Sequence, residues 1–398
     1  MANIANSNVV PDEAPTFNIK PLMFETFVCT MAVMAFSALA GPVARVTGLE
    51  AWQIGTAMTA AGLAWVLMAR FWGRLSDKRG RRPIILFGLS GFVISYASLA
   101  LFIDFAMQAA VAPIITFIGL VVGRGIAGVF YAAVPATSAA LIADHVPPKQ
   151  RTAAMAGIGA ASAAGMVIGP GFVGLIGAYS LSIPLYFTAI LPAIALLALW
   201  RVLPKVKLHA KPDMQSVSLT DKRLRRPVAV AFVAAFSVSI AQVIVGFFIL
   251  DRLQLDTSTA ARSAGIALAV VGIALIVAQV AVQKLMWQPQ RFILFGGLIA
   301  AAGFIVVYFS LSSVILWIGY GLAGFGMGWV YPSLSALAAN SVEAHEQGAA
   351  AGTVSSAQGL GIVVGPIVGT AIYGLDYGLP FALIAAMLIL AAIWRSPK

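Results

Sequence analysis

Charge is scarce in this 398-residue chain: only 10% of the residues are Asp, Glu, Lys or Arg, against about a quarter in soluble domains. That shortage excludes a soluble globular protein. The single cysteine, Cys29, excludes an internal disulfide and any cysteine metal cluster. The three histidines, His145, His209 and His345, fall in polar loops between apolar runs, so no histidine relay lies within a membrane span. No surface collects the His, Asp and Glu residues that a membrane enzyme or a metal site needs. No Gly-x-x-x-x-Gly-Lys-Ser/Thr loop is present to harness ATP. The stretch from Met1 to Thr16 carries Asp12 and Glu13 but no basic residue. It reads as a short cytoplasmic tail, not a secretory signal.

What is abundant is apolar sequence, 61% of the chain. Twelve apolar segments are long enough to be read as transmembrane helices: 20–43, 52–72, 83–104, 113–143, 152–178, 183–203, 227–251, 260–285, 292–311, 314–339, 348–373 and 379–394. An even number of spans puts both termini on one side. Of the 25 Lys and Arg, Arg45, Arg252 and Arg262 lie on the opposite side and Arg124 lies within a span; the other 21 are on the terminal side. This bias places the termini in the cytoplasm, and the net charge of +11 then favours anionic lipid headgroups. The basic cluster at 204–226, with Lys205, Lys207, Lys211, Lys222, Arg223, Arg225 and Arg226, has no interleaved aromatics and sits between two spans. It reads as a linker and not as a nucleic-acid site.

The chain also repeats itself. Gly165-Met-Val-Ile-Gly169-Pro170 recurs 196 residues later as Gly361-Ile-Val-Val-Gly365-Pro366, and Pro135 has a counterpart in Pro332. Duplication at half length predicts an all-α membrane protein of two pseudo-symmetric six-helix bundles with the substrate site between them. The expected division is a tail at 1–19, bundles at 20–203 and 227–398, and a linker at 204–226.

The loop after the second span reads Gly73-Arg-Leu-Ser-Asp77-Lys-Arg-Gly80-Arg81-Arg82-Pro83. In spacing and position it resembles the loop motif of the major facilitator superfamily. Arg124-Gly-Ile-Ala-Gly128 resembles that superfamily's fourth-helix pattern. Gly157, Gly165, Gly169 and Pro170 resemble the glycine-proline motif of its antiporters, with Gly361, Gly365 and Pro366 as the second-half copy. The nearest likeness is to the twelve-helix drug:proton antiporters, the group that includes tetracycline exporters. There are departures. The loop at 283–291 has lost the acid and both glycines, Gly321 stands where a second Arg124 would be, and further intramembrane acids of tetracycline exporters have no clear counterpart here.

Two charged residues fall inside spans, where a charge costs roughly 3 kcal/mol or more unless hydrated or paired. Glu25, in the first helix, is the candidate reversible proton site, the alternative being that it snorkels to the nearby surface. Arg124 is expected to pair with a carboxylate, orient water or bind backbone carbonyls, and the resemblance places it near the proton pathway. Gly128, Tyr131 and Pro135 share its helical face. The resemblance makes Asp77 a gate residue that caps the eleventh helix, with Arg81 and Asp144 as neighbouring charge contacts and Gly73 and Gly80 shaping the loop. Asp104, Asp251 and Arg70 sit at helix ends, within reach of headgroups. Polar or aromatic residues inside apolar helices are the candidate substrate contacts: Tyr131, Ser162, Gln242, Trp329, Tyr331 and Gln358, with Met31, Met34, Met155 and Met166 as adaptable packing around them.

The sequence therefore predicts a monomeric secondary transporter of the cytoplasmic membrane. It would export small amphipathic compounds in exchange for protons, with the proton gradient in place of any cofactor. A dedicated metabolite or siderophore exporter, or a proton symporter of the same fold, fits the same pattern.

Overall fold

The computed structural model describes residues 17–177, 179–204, 221–285, 287–343 and 346–394. Most of the linker and of the N-terminal tail, together with His209 and His345, lies outside them. The described residues form α1 (Lys20–Thr47), α2 (Ala51–Arg79), α3 (Arg81–Gln108), α4 (Pro113–Tyr131), α5 (Ala133–His145), α6 (Pro148–Gly177) and α7 (Ser182–Val202). After the linker come α8 (Arg225–Asp251), α9 (Thr257–Leu285), α10 (Pro289–Tyr308), α11 (Ser313–Ala339), α12 (Gln347–Tyr373) and α13 (Leu379–Ile393).

With α4 and α5 taken as one crossing, eleven helices are long and apolar enough to span a bilayer. The twelfth, α13, has 15 residues, or about 22 Å of helix at 1.5 Å per residue. The segment expected as one helix over 113–143 is divided at Ala132. Pro135 accounts for the break, since it has no N–H for the Tyr131 carbonyl and its ring crowds that carbonyl.

The repeated glycines set the packing. A Cβ built on Gly165 would lie 2.5 Å from the Phe27 carbonyl oxygen, and one on Gly169 would lie 2.8 Å from that of Met31. Both would drive α6 away from α1. In the second half, Gly361 faces the Phe232 oxygen at 2.6 Å and Gly365 the Phe236 oxygen at 3.0 Å, seating α12 on α8. Without hydrophobic segregation between helices in lipid, such close backbone approach is a main source of packing energy.

The halves meet chiefly through α2 with α12, α6 with α9, and α1 with α8, and α1 also touches α9 and α2 touches α8. Their tight contacts lie toward the side away from the termini. Gly174 meets Gly265, Gly171 meets Ala269, Gly55 meets Thr370, and Gly41 meets Gly246. The Thr59 hydroxyl donates to the Val363 carbonyl at 2.8 Å. Toward the terminal side this contact ends: a Cβ at Gly73, Gly159 or Gly352 would meet nothing within 4 Å, and Ile276, Val277 and Val280 on α9 are exposed. The halves are closed on the far side and parted on the terminal side.

At the terminal side, Arg223 makes a two-pronged pair with Glu346 at 2.8 and 2.9 Å and also holds Asp221. These hydrogen bonds keep the Asp221 carboxyl below the usual carboxylate range. On the far side, Asp256 opens α9. Its Oδ1 accepts from the Ser258 hydroxyl at 2.6 Å and from the Ser258 and Thr259 amides at 3.0 Å each. These donors hold Asp256 well below the usual carboxylate range. A carboxyl lowered on folding stabilises above its unfolded pKa and loses that contribution as pH falls through the lowered value. Asp256→Ala should therefore reduce the thermal midpoint near neutral pH, with the gap to wild type closing as the pH drops below the carboxylate range. Melting of both proteins in detergent between neutral and strongly acid pH measures this; a constant gap would show that the cap's charge contributes nothing.

Candidate substrate and proton site

A cavity of about 230 Å³ lies where the halves meet, lined by residues of α1, α2, α3 and α4 from the first half and α8 and α12 from the second. Val33, Met34, Met58, Phe92, Val243 and Ile362 give it an apolar wall. Among its polar members are Ser37, Trp65, Tyr96, Arg124, Tyr131 and Gln242. A largely apolar pocket with few polar groups suits an amphipathic ligand.

Arg124 is 5% exposed. Its guanidinium carbon lies 4.6 Å from the centre of the Phe36 ring, a cation–π contact. Among the described residues Arg124 has no carboxylate or carbonyl bond, and its Nε is buried without a protein hydrogen bond. Gly128, one turn on, lets α4 close onto the Ala61 backbone of α2. The helix break at Ala132 follows Tyr131 directly and turns the chain beside the cavity.

Glu25 does not snorkel. It is 2% exposed, accepts from the Thr26 hydroxyl at 3.2 Å and interacts with the Cys29 thiol one turn on. Thr30 and Ser162 pair their hydroxyls at 3.4 Å across α1 and α6. Tyr131 interacts with Thr30 and lies within electrostatic range of Glu25 and Cys29. A buried polar cluster thus runs from Glu25 to Tyr131 at the cavity wall, and Ser162 belongs to this cluster instead of the cavity.

The loop between α2 and α3 turns at Gly80, whose φ of 104° is open to glycine and strained for other residues. Arg81 bonds Asp77 at 2.5 Å, Asp144 at 3.1 Å and the Ser76 hydroxyl at 2.7 Å. The Asp77 side chain is 60% exposed and turned to Arg81 instead of capping α12, in keeping with the parted terminal side. On the far side, Arg45 of α1 and the Tyr373 hydroxyl of α12 converge on Asp251 of α8, joining the halves.

The sequence pattern that describes the Major Facilitator Superfamily matches residues 22–352 and 287–398. The chain belongs to this superfamily, whose members are transporters. It is 30% identical over 357 residues to the class H tetracycline resistance protein of Pasteurella multocida, covering 84% of each chain. It is 28% identical over 340 residues to the class G protein of Vibrio anguillarum, covering 80% of each. Among solved structures, an inward-facing bacterial homologue of the human lysosomal transporter Spinster superposes with a TM-score of 0.73 at 15% identity, covering 94% of both chains. This likeness extends the superfamily fold over nearly the whole molecule.

Within this major facilitator chain, the cavity gathers Tyr131 and Gln242 but leaves out other candidate contacts. Trp329 packs with Trp287, Phe292 and Phe325 in a separate aromatic cluster. Tyr331 packs against the main core, and Gln358 is half-buried outside the cavity wall. A 3.6-residue period leaves the second half's polar side chains free to face either the cavity or neighbouring helices, and only packing decides. Of the methionines, Met34 lines the cavity, Met31 is buried against Gly169, and Met155 and Met166 are exposed. Two acids expected to reach headgroups are held by protein groups: Asp251 by Arg45 and Tyr373, and Asp104 by Ser182, Tyr186 and Gln108. Ser37, Trp65 and Tyr96 line the cavity although charge and polarity patterns do not single them out; their place at mid-helix beside small residues is the signal the sequence offers.

Because Arg81 keeps Asp144 and Ser76 when Asp77 is neutralised, Asp77→Asn should fold normally. Transport should slow, with longer exposure of a reporter cysteine on the terminal side of the cavity, measured by maleimide labelling. Unchanged transport with unchanged labelling would discharge Asp77 from gating.

Proposed function

We propose that this protein exports small amphipathic compounds in exchange for protons, working as a monomer by alternating access in the cytoplasmic membrane with both termini in the cytoplasm. The observation that carries this reading is the cavity between the halves, next to the cluster of buried Glu25, Cys29 and Thr30 with half-buried Tyr131. Glu25 is the proton carrier, while Arg124 supplies the fixed positive charge in the same half. The segments 20–203 and 227–398 move as two bodies joined by the linker, with no catalytic role and no cofactor. The cytoplasmic placement of the termini rests on the distribution of basic residues. With that orientation the described conformation opens to the cytoplasm, and the contact of Asp77 with α12 belongs to the opposite conformation. The names of the tetracycline relatives, and of a quinolone resistance protein of Staphylococcus aureus at 23% identity over 344 residues, favour drug-like cargo. No tetracycline-specific acid supports tetracycline itself.

Alternating access requires the far-side contacts to part. The Cβ built on Gly171 lies 3.4 Å from that of Ala269, close to disulfide range. In a Cys29→Ser background, Gly171→Cys with Ala269→Cys should cross-link on oxidation and stop transport, with activity restored by reductant. Full transport by the cross-linked protein would overturn the rocking mechanism.

Glu25→Gln mimics the protonated acid and cannot release a proton. Uphill accumulation of a fluorescent amphipathic dye in proteoliposomes under an imposed pH gradient should be lost, while downhill equilibration persists. Wild-type accumulation by this variant would take Glu25 out of the coupling step.

A further inference from the structure

Among the described residues the cavity wall carries one net charge and no acid to balance it. Arg124 is the only formally charged side chain among them. Three of the wall's polar atoms are buried without a hydrogen-bond partner: Arg124 Nε, Trp65 Nε1 and Ser37 Oγ. Arg and Trp can only donate, and the serine hydroxyl is free to donate. Two other polar groups of the wall are spent inside the protein. The Tyr96 hydroxyl donates to the Ala32 carbonyl, and the Ser239 hydroxyl to those of Phe236 and Gly361. Unpartnered donors of this kind are costly in a dry site and call for an acceptor. The guanidinium carbon lies over the Phe36 ring at 4.6 Å from its centre, and the guanidinium N–H groups are donors whose fork suits a planar oxyanion.

We propose that the transported compound is an amphipathic monoanion, with a carboxylate or similar oxyanion bound by Arg124 and assisted by Trp65 and Ser37, and with its apolar body against Met34, Met58 and Phe92. This rests on the reading of the cavity as the substrate site. One fixed charge matches one anionic group; a dianion would leave a buried charge uncompensated, and a cation would meet like charge. The separation of Arg124 from Glu25 keeps the anion's partner distinct from the proton's carrier.

The test is calorimetric titration of the purified full chain in phosphatidylcholine nanodiscs, with empty nanodiscs subtracted. Three probes share one skeleton: phenylvalerate, its methyl ester and phenylpentylamine. At neutral pH phenylvalerate should bind at least about tenfold more tightly than the ester, with the amine weakest. Arg124→Gln should erase the preference for the acid over the ester, and Arg124→Lys should keep part of it. Equal binding of the three probes by wild type, a preference for the amine, or no binding at all overturns the proposal without recourse to any variant. So does an acid preference that survives Arg124→Gln. Phosphatidylglycerol added to the nanodiscs should leave the affinity unchanged; its abolition would assign Arg124 to a lipid headgroup instead. Binding needs no gradient, so acid-selective binding without uphill transport would sink the antiport reading alone. Proton-driven transport of the amine without binding of the acid would sink the anion site alone.

Discussion

How near two backbones can come is the constraint on which this protein depends. Inside lipid the helices gain little from burying apolar side chains against one another, so contact quality decides association. Here the contacts are made by glycine. Gly165 and Gly169 bring α6 onto the backbone of α1, and Gly361 and Gly365 do the same for α12 and α8. The same two helices, α6 and α12, then present other residues to the opposite half: Gly174 meets Gly265 of α9, and Val363 and Thr370 meet α2. Each is a hinge leaf fastened to its own half on one face and resting against the other half on the next.

That arrangement explains why the far side is closed and the terminal side is parted. The far-side turns of α6 and α9 carry small residues in register, whereas the terminal-side turns of α9 carry Ile276, Val277 and Val280, which are exposed. The contact of Arg45 and Tyr373 with Asp251 adds a polar tie across the halves at the closed side. An exposed ion pair of this sort adds little stability by itself. Its place is across the closed side, where it ties α1 of one half to α8 of the other.

Charge supplies the second layer. Glu25 and Arg124 are both buried in the first half, yet they do not pair. Glu25 sits among hydroxyls and a thiol, and Arg124 leans on Phe36 at the cavity wall. A direct ion pair would neutralise both and leave the cavity without an electrostatic character. Kept apart, each remains free for a different partner, which in the proposed mechanism is a proton for one and an acceptor-bearing compound for the other.

The fold was largely legible from the sequence because its causes are local or periodic. Apolar runs give spans, the half-length repeat of Gly-x-x-x-Gly-Pro gives two related halves, and Gly80 marks a turn that its φ of 104° requires. Charge scarcity makes Glu25 and Arg124 conspicuous in the chain itself. The break at Ala132 was also written in the chain, since Pro135 removes a donor four residues from Tyr131, but a proline need not break a helix: Pro170 and Pro366 lie inside unbroken ones. What the sequence by itself determined, then, is the membrane architecture, the pairing of halves and the residues whose charge is out of place. Tertiary structure alone decided which of them meet. It placed Tyr131 and Gln242 at the cavity and Trp329 in a distant aromatic cluster, although all three look alike as polar or aromatic residues in apolar helices. It also left the donors of Arg124, Trp65 and Ser37 unpartnered around one space. The physical reason is that a helix fixes the angular spacing of its side chains but not its own rotation or neighbours, and those are set by close approach between helices far apart in the chain.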